Sequence, residues 1–338
     1  MKRFLASTSL FACVVLGNPG LLWASATETD KGMCDGSAGT AITPDLFVVA
    51  NDDGQTLRVY RRGTPEPLKE FDTDLNQFLG TDQSNDHEAD IEAAARVNNR
   101  IYWITSHGRD SDGVERETRR RFFATEIKVA SGKVTIEPVQ RPYIKLLDDL
   151  FGAESLRKYK SLLQNGAKIA PEEKGGLNIE GLAATPEGHL LIGFRNPILP
   201  NSAALVVPLL NPDDVVNGQT TRFGDPIELD LGGLGIRSID YVAARKSYWI
   251  IAGPSGDKGE FKMFEWSGSG EPKRRTDITF DNDMHPEALV TFPDDQSNVL
   301  VLIDDGDIKG MDPNTNKKCK KVAQELKRFR AVHVPHVQ

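Results

Sequence analysis

Apolar and polar positions along this chain come in short bursts, and one burst recurs. Asp90-Ile91-Glu92-Ala93-Ala94-Ala95 passes through a polar turn into Ile101-Tyr102-Trp103-Ile104 and closes on Ser106-His107-Gly108. Asn178-Ile179-Glu180-Gly181-Leu182-Ala183 leads through Pro186-Glu187-Gly188 into Leu190-Leu191-Ile192-Gly193-Phe194-Arg195. Ser238-Ile239-Asp240-Tyr241-Val242-Ala243 leads to Tyr248-Trp249-Ile250-Ile251, and His285-Pro286-Glu287-Ala288-Leu289-Val290 leads to Val299-Leu300-Val301-Leu302-Ile303. A weaker copy runs from Ser37-Ala38-Gly39-Thr40-Ala41 to Leu46-Phe47-Val48-Val49. Each unit reads as a hairpin, and a third β-rich run follows: Leu57–Tyr60, Arg121–Ile127, Ala204–Leu209 and Phe261–Trp266. Strand-period units repeated at this scale predict an all-β fold, a single β-propeller of five or six blades. One stretch departs from the strand pattern. Apolar residues recur at helical spacing from about Ile144 to Gln164, predicting a helical insertion that covers an axial pocket or packs on the side.

The copies carry an acid at a matching place. Reading the first strands in parallel puts Glu92, Glu180, Asp240 and Glu287 around one axis, with Ser37 in the weak copy. The acid-to-acid spacings are 88, 60 and 47 residues, so the insertions between blades are unequal. Carboxylates crowded on one axis need a cation, arginines or shared protons to coexist. A hard cation with oxygen ligands suits them, Ca²⁺ before Mg²⁺. The alternative is that they hydrogen-bond backbone amides and fix the inner strands. The six histidines form no zinc-type cluster.

Cations stand near the same hairpins. His107 and Arg109, Arg195 and Arg237 flank the repeated acids, the last two in glycine-bordered loops. Either they grip a small anionic ligand with their guanidinium forks or they pair internally with the acids. The Arg119-Arg120-Arg121 run reads as a strand edge, and Asp52-Asp53-Gly54 and Asp304-Asp305-Gly306 as hairpin ends. No nucleophile elbow, P-loop or dinucleotide fingerprint is present.

The ends of the chain set the compartment. Lys2 and Arg3, an apolar run to about Trp23 and Ala24-Ser25-Ala26 read as a cleaved export signal over residues 1–26, leaving a propeller domain over 27–338 that acts in the periplasm or outside the cell. Loss of its two cations takes the formal charge from −8 to −10, which excludes nucleic-acid binding as a main role. No other run is long enough to span a bilayer, so the mature protein is expected to be a monomer outside the membrane. Cys34 and Cys319 then remain, and in an oxidising compartment such a pair reads as a disulfide joining the two ends of the ring, or else as two buried thiols.

The segments Asp90–Gly113, Leu177–Pro197, Arg222–Tyr241 and Tyr248–Pro254 resemble a bacterial family, the domain of unknown function 3616, from about Cys34 to Cys319. The resemblance implies a β-propeller of exported proteins and no particular reaction. Ile179-Glu180-Gly181 also resembles strand starts of calcium-dependent phytase-like and lactonase-like propellers. Two functions follow. One is a calcium-dependent hydrolase of phosphate esters or lactones, with Glu92, Glu180, Asp240 and Glu287 on the metal, His107 and Glu180 in proton transfer, and Arg109, Arg195 and Arg237 on the substrate. The other is a non-enzymatic ligand-binding or scaffold propeller of the cell envelope.

Overall fold

A computed structural model describes residues 27–336 except 83–87, 132, 257 and 312–313; the expected export signal and Cys13 lie outside the described residues. The chain forms five four-stranded antiparallel sheets. After β1 (Thr27–Lys31), blade 1 holds β2 (Ala38–Ala41), β3 (Leu46–Ala50), β4 (Thr56–Arg61) and β5 (Thr73–Asp74). Blade 2 holds β6 (Ile91–Val97), β7 (Arg100–Thr105), β8 (Phe122–Ala130) and β9 (Lys133–Tyr143). Blade 3 holds β10 (Asn178–Ala184), β11 (Leu190–Asn196), β12 (Ala204–Leu209) and β13 (Ile227–Leu229). Blade 4 holds β14 (Gly235–Val242), β15 (Ser247–Gly253), β16 (Lys262–Trp266) and β17 (Lys273–Arg274). Blade 5 is β18 (His285–Val290), β19 (Asn298–Asp304) and β20 (Arg328–Pro335), and β1 returns to pair with β20 as its outermost strand. The inner strands β2, β6, β10, β14 and β18 neighbour one another in a closed ring. The fold is therefore a five-bladed propeller.

Why the strands read as unbroken apolar runs is clear from the core. It consists of five clusters, one between each pair of neighbouring blades. Successive residues of a strand point to opposite faces, and both faces of a blade are covered. Val48 packs toward blade 2 and Val49 toward blade 5; Tyr248 packs toward blade 3 and Trp249 toward blade 5. Between blades 2 and 3 two short helices, Leu146–Gly152 and Lys160–Gly166, bury Leu147, Leu150 and Leu163 in the blade 2–3 cluster. They pack on the flank, and the segment behind them carries Pro171 and Glu172 to the axis. No helix among the described residues is long and apolar enough to cross a membrane.

The seam between blades 5 and 1 is closed twice: by the β1–β20 ladder and by a Cys34–Cys319 disulfide with Cα atoms 5.6 Å apart. It also holds a liability. Asp30 of β1 is 3% exposed and its Oδ2 accepts no hydrogen bond. Burial, with Glu28 and Glu66 nearby, pushes its carboxyl up to about 8. The folded chain therefore keeps Asp30 protonated where the unfolded chain ionises it, and stability falls as pH rises from about 4 to about 8, by at most about 1.4 kcal/mol per pH unit. Asp30→Asn is expected to gain on the order of 2–4 kcal/mol at pH 7 and nothing near pH 3. Urea unfolding at the two pH values checks this; a gain that is equal at both would refute the burial argument.

Candidate cation site on the propeller axis

Four of the five inner strands share one irregularity. In β6 the pairing steps from Ile91↔Thr105 to Ala93↔Ile104, skipping Glu92. In β10 it steps from Ile179↔Phe194 to Gly181↔Gly193, skipping Glu180. In β18 Pro286↔Ile303 is followed by Ala288↔Leu302, skipping Glu287. In β14 Ile236↔Ala252 is followed by Ser238↔Ile251, and the skipped residue is Arg237. A β-bulge of this kind re-aims one side chain out of the ladder, and here it aims all four into one cavity. The repeat at β14 therefore begins three residues earlier than the parallel reading of the sequence places it. Arg237, not Asp240, occupies the fourth position. Asp240 sits near the other end of β14, beside a separate cavity with Thr291 and Tyr241.

Close backbone contact sets the floor of the axial cavity. A Cβ on Gly235 would fall 1.9 Å from the Arg195 carbonyl oxygen, so only glycine lets β14 lie this near β11. That proximity brings Arg195 and Arg237 to the same acid. Arg195 Nη1 donates to Glu180 Oε1 at 2.8 Å, Arg237 Nε lies 3.0 Å from Glu180 Oε2, and Arg237 also pairs with Glu287. Asn178 Nδ2 donates to Glu180 Oε1 at 2.8 Å. Glu180, Arg195 and Arg237 are each at most 6% exposed. For Arg237 the flanking carboxylates outweigh the burial and hold it firmly charged. Glu180 thus lies between two guanidinium groups, and both arginines are committed to protein carboxylates.

The walls carry more acid than base. Eleven carboxyl side chains line this cavity of about 390 Å³, against three arginines and one lysine. Arg119 joins Asp90 at 2.7 Å and also holds Glu88; Lys320 holds Asp307 at 2.5 Å. Among the described residues no ion pair reaches Asp35, Asp52, Asp53, Glu92 or Asp304. Burial, then the neighbouring acids, drives the carboxyls of Asp35, Asp52 and Glu92 well above the usual range. Burial pushes Glu287 up to about 8, although Arg237 pulls it down, and Glu88 up to about 7. Oxygens of Asp35, Asp52 and Asp53 lie within 4.8 Å of one another. Asn178, 3% exposed, lines the same cavity, and its acceptor Oδ1 makes no hydrogen bond.

Several residues expected at the site stand elsewhere. His107 is 1% exposed and does not line the cavity. Its Nδ1 donates to the Thr105 carbonyl at 2.8 Å, and burial lowers it to about 4, which makes it a neutral, packed imidazole near pH 7. Arg109 donates to the carbonyls of Ala167 and Gly113, both at 3.0 Å, and ties its loop to the end of the second short helix. It faces a cavity beside that insertion. Arg119 belongs to the axial cavity, not to a strand edge. The hairpin ends at Asp52-Asp53 and Asp304 face the axis as well, as does Asp35, beside Cys34.

An acid-lined axial cavity in a five-bladed ring defines the class: a β-propeller with a predominantly acidic centre. Residues 145–313, half of the chain, match the family described as "Protein of unknown function (DUF3616)", and the chain belongs to that family. No curated protein matches it. Among solved structures it is similar to the glutaminyl cyclase of Myxococcus xanthus, at 10% identity over 92% of this chain and 96% of that one, TM-score 0.45. It is also similar to the putative oxidoreductase (glucose dehydrogenase) of Thermus thermophilus, at 13% identity over 92% of this chain and 100% of that one, TM-score 0.45. A third is the extracellular domain of a putative hybrid two component system from B. thetaiotaomicron, at 13% identity over 80% of this chain, TM-score 0.33; this chain spans 25% of that protein's length. None of these likenesses bears on the chemistry.

Proposed function

We propose that the axial cavity takes up a hard divalent cation, Ca²⁺ in the first place, and that the protein is a calcium-binding propeller of an oxidising compartment outside the cytoplasm. The observation that carries this is the set of cavity carboxyls that form no ion pair among the described residues, above all Asp35, Asp52 and Asp53 with oxygens within 4.8 Å of one another. An all-oxygen donor set suits calcium and disfavours softer metals. The unpartnered Asn178 Oδ1 adds a neutral oxygen of the type calcium sites use. The Cys34–Cys319 disulfide supports the compartment.

A second reading extends the first to catalysis, as a hydrolase of phosphate esters or lactones. It is favoured by Glu88, a cavity-wall carboxyl held near 7, where a side chain exchanges protons at neutral pH. When bound, the ion supplies the Lewis acidity that polarises an ester. Arg195 and Arg237 already hold Glu180 and Glu287, so their part is to fix the cavity floor rather than to grip substrate.

Calorimetric titration of the mature protein with Ca²⁺ tests the first reading. Carboxyls raised by burial must give up any proton they hold to bind a cation, so, with Glu88 raised to about 7 and Glu287 to about 8, affinity is expected to rise between about pH 6 and pH 9, by up to tenfold per unit for each proton displaced. Asp35→Asn with Asp52→Asn should abolish the heat. Absent binding, or binding that ignores both pH and the double variant, overturns the cation site. A screen of phosphate esters and lactones, with Ca²⁺ and with chelator, decides the second. Turnover absent throughout leaves a binding propeller.

A further inference from the structure

The inner strands end at a second cavity, opposite the acidic one, and its chemistry is different. Residues at or just past the C-terminal ends of all five inner strands, among them Thr40, Arg96, Thr185, Asp240 and Thr291, enclose about 350 Å³. It contains one cation and one anion, and among the described residues neither has an ionic partner.

Each charge is pinned in place. Arg96 Nη1 donates to the carbonyls of Ala41 at 2.7 Å and Ile42 at 2.6 Å, and Nε donates to Asn98 O at 2.6 Å. These bonds fix the guanidinium plane and leave Nη2 without a hydrogen bond among the described residues. Asp240 accepts from the Tyr241 amide at 2.8 Å and from Thr291 Oγ1 at 2.7 Å. Burial pushes its carboxyl up to about 6, and no cation offsets that burial. Free side chains of opposite charge in one cavity would be expected to close on each other, because a desolvated charge costs free energy until it is paired. Here the backbone bonds hold them apart. Charges preorganised at a fixed separation favour a ligand that carries both signs, since no ordering of the protein is left to be done on binding.

We propose that this cavity is a receptor site for a small zwitterion of the amino-acid type, its carboxylate on Arg96 and its ammonium group on Asp240. Arg96 keeps Nη2, with two hydrogens to donate to a carboxylate, the Asp240 carboxyl accepts from an ammonium group, and Tyr241 lines the same cavity. The site is independent of the axial cation, so the two can fail separately.

The test is calorimetry of the mature protein with glycine, β-alanine, γ-aminobutyrate and 5-aminovalerate, a ladder in which only the spacing of the charges changes. Acetate and ethylammonium serve as half-ligands. At least one zwitterion is expected to saturate the site, with half-ligands about tenfold weaker or worse. Asp240→Asn should weaken the best zwitterion at least about tenfold and leave Ca²⁺ binding at the other end unchanged. Arg96→Gln should do the same; because Arg96 also holds backbone carbonyls, Asp240→Asn is the deciding variant. No saturation by any member up to about 10 mM, a half-ligand that binds as tightly as the best zwitterion, or indifference to Asp240→Asn overturns the proposal.

Discussion

Replacing Glu180 by glutamine is expected to lower the folding free energy by about 3–5 kcal/mol, whereas the same change at Glu92 is expected to cost less than about 1 kcal/mol or to stabilise. The two residues are equivalent bulge positions on neighbouring blades, and their surroundings decide the sign. Glu180 is the shared counterion of Arg195 and Arg237 and also accepts from Asn178. Glutamine keeps its shape but removes the charge that the buried Arg195 and Arg237 share. Breaking a buried pair from one side is costly because the surviving charge is still desolvated. Glu92 has burial and three neighbouring acids against it, with Arg237 the opposing influence, so a neutral side chain relieves repulsion there. Urea unfolding at pH 7 separates the two. A loss below about 1 kcal/mol for Glu180→Gln would mean that the arginines find other partners, and that Glu180 does not organise the cavity floor. With the expected loss of about 3–5 kcal/mol, a loss of cation binding in that variant would report a collapsed floor rather than a lost ligand.

The fold was legible in the sequence because both faces of every blade are buried. Strands such as Val299–Ile303 show no gaps in their apolar runs, and their regular recurrence leaves few architectures open. The candidate site was legible in part. Glu92, Glu180 and Glu287 were found because the bulge keeps an apolar or proline residue before each acid: Ile91, Ile179 and Pro286. Blade 4 has the same device at Ile236-Arg237, but a search for acids passes over an arginine, and Ser238-Ile239-Asp240 imitates Asn178-Ile179-Glu180 three residues later. A bulge is a property of pairing, and a single strand does not announce it. Arg119, Glu88 and Asp35 reach the axis from segments outside the repeated strands, so no periodicity points to them. His107 and Arg109 were drawn in by closeness along the chain, which a positive φ of 56° at His107 and the anchoring of Arg109 to Ala167 turn away from the axis.

Cys34→Ala with Cys319→Ala is expected to cost about 3–5 kcal/mol, the other large effect in this protein. The bond joins residues 285 positions apart, and closing so long a loop removes much of the freedom of the unfolded chain. The gain falls short of the full entropic value if the unfolded chain stays compact. In the folded state the ladder of β1 on β20 and the cluster of Met33, Phe47, Tyr60 and Phe329 still hold the seam, so the variant should fold with its strands intact. What it should lose besides stability is the shape of the cavity wall. The Cys34 carbonyl accepts from the Asp305 amide at 2.9 Å, and the next residue is Asp35; the Cys319 amide donates to Ile308 O at 2.9 Å, and the next residue is Lys320. Asp35 and Lys320 both line the axial cavity, so the disulfide clamps the two segments that bring them there. Calcium affinity should therefore fall with the bond. By linkage, saturating calcium should protect the bond from reductant in the unmodified protein, since a ligand that favours the closed seam opposes its opening. Unfolding of the double variant at the same urea concentration as the parent would show that the ladder alone closes the ring. Equal calcium affinity in both proteins would show that Asp35 is held in place without help from the disulfide.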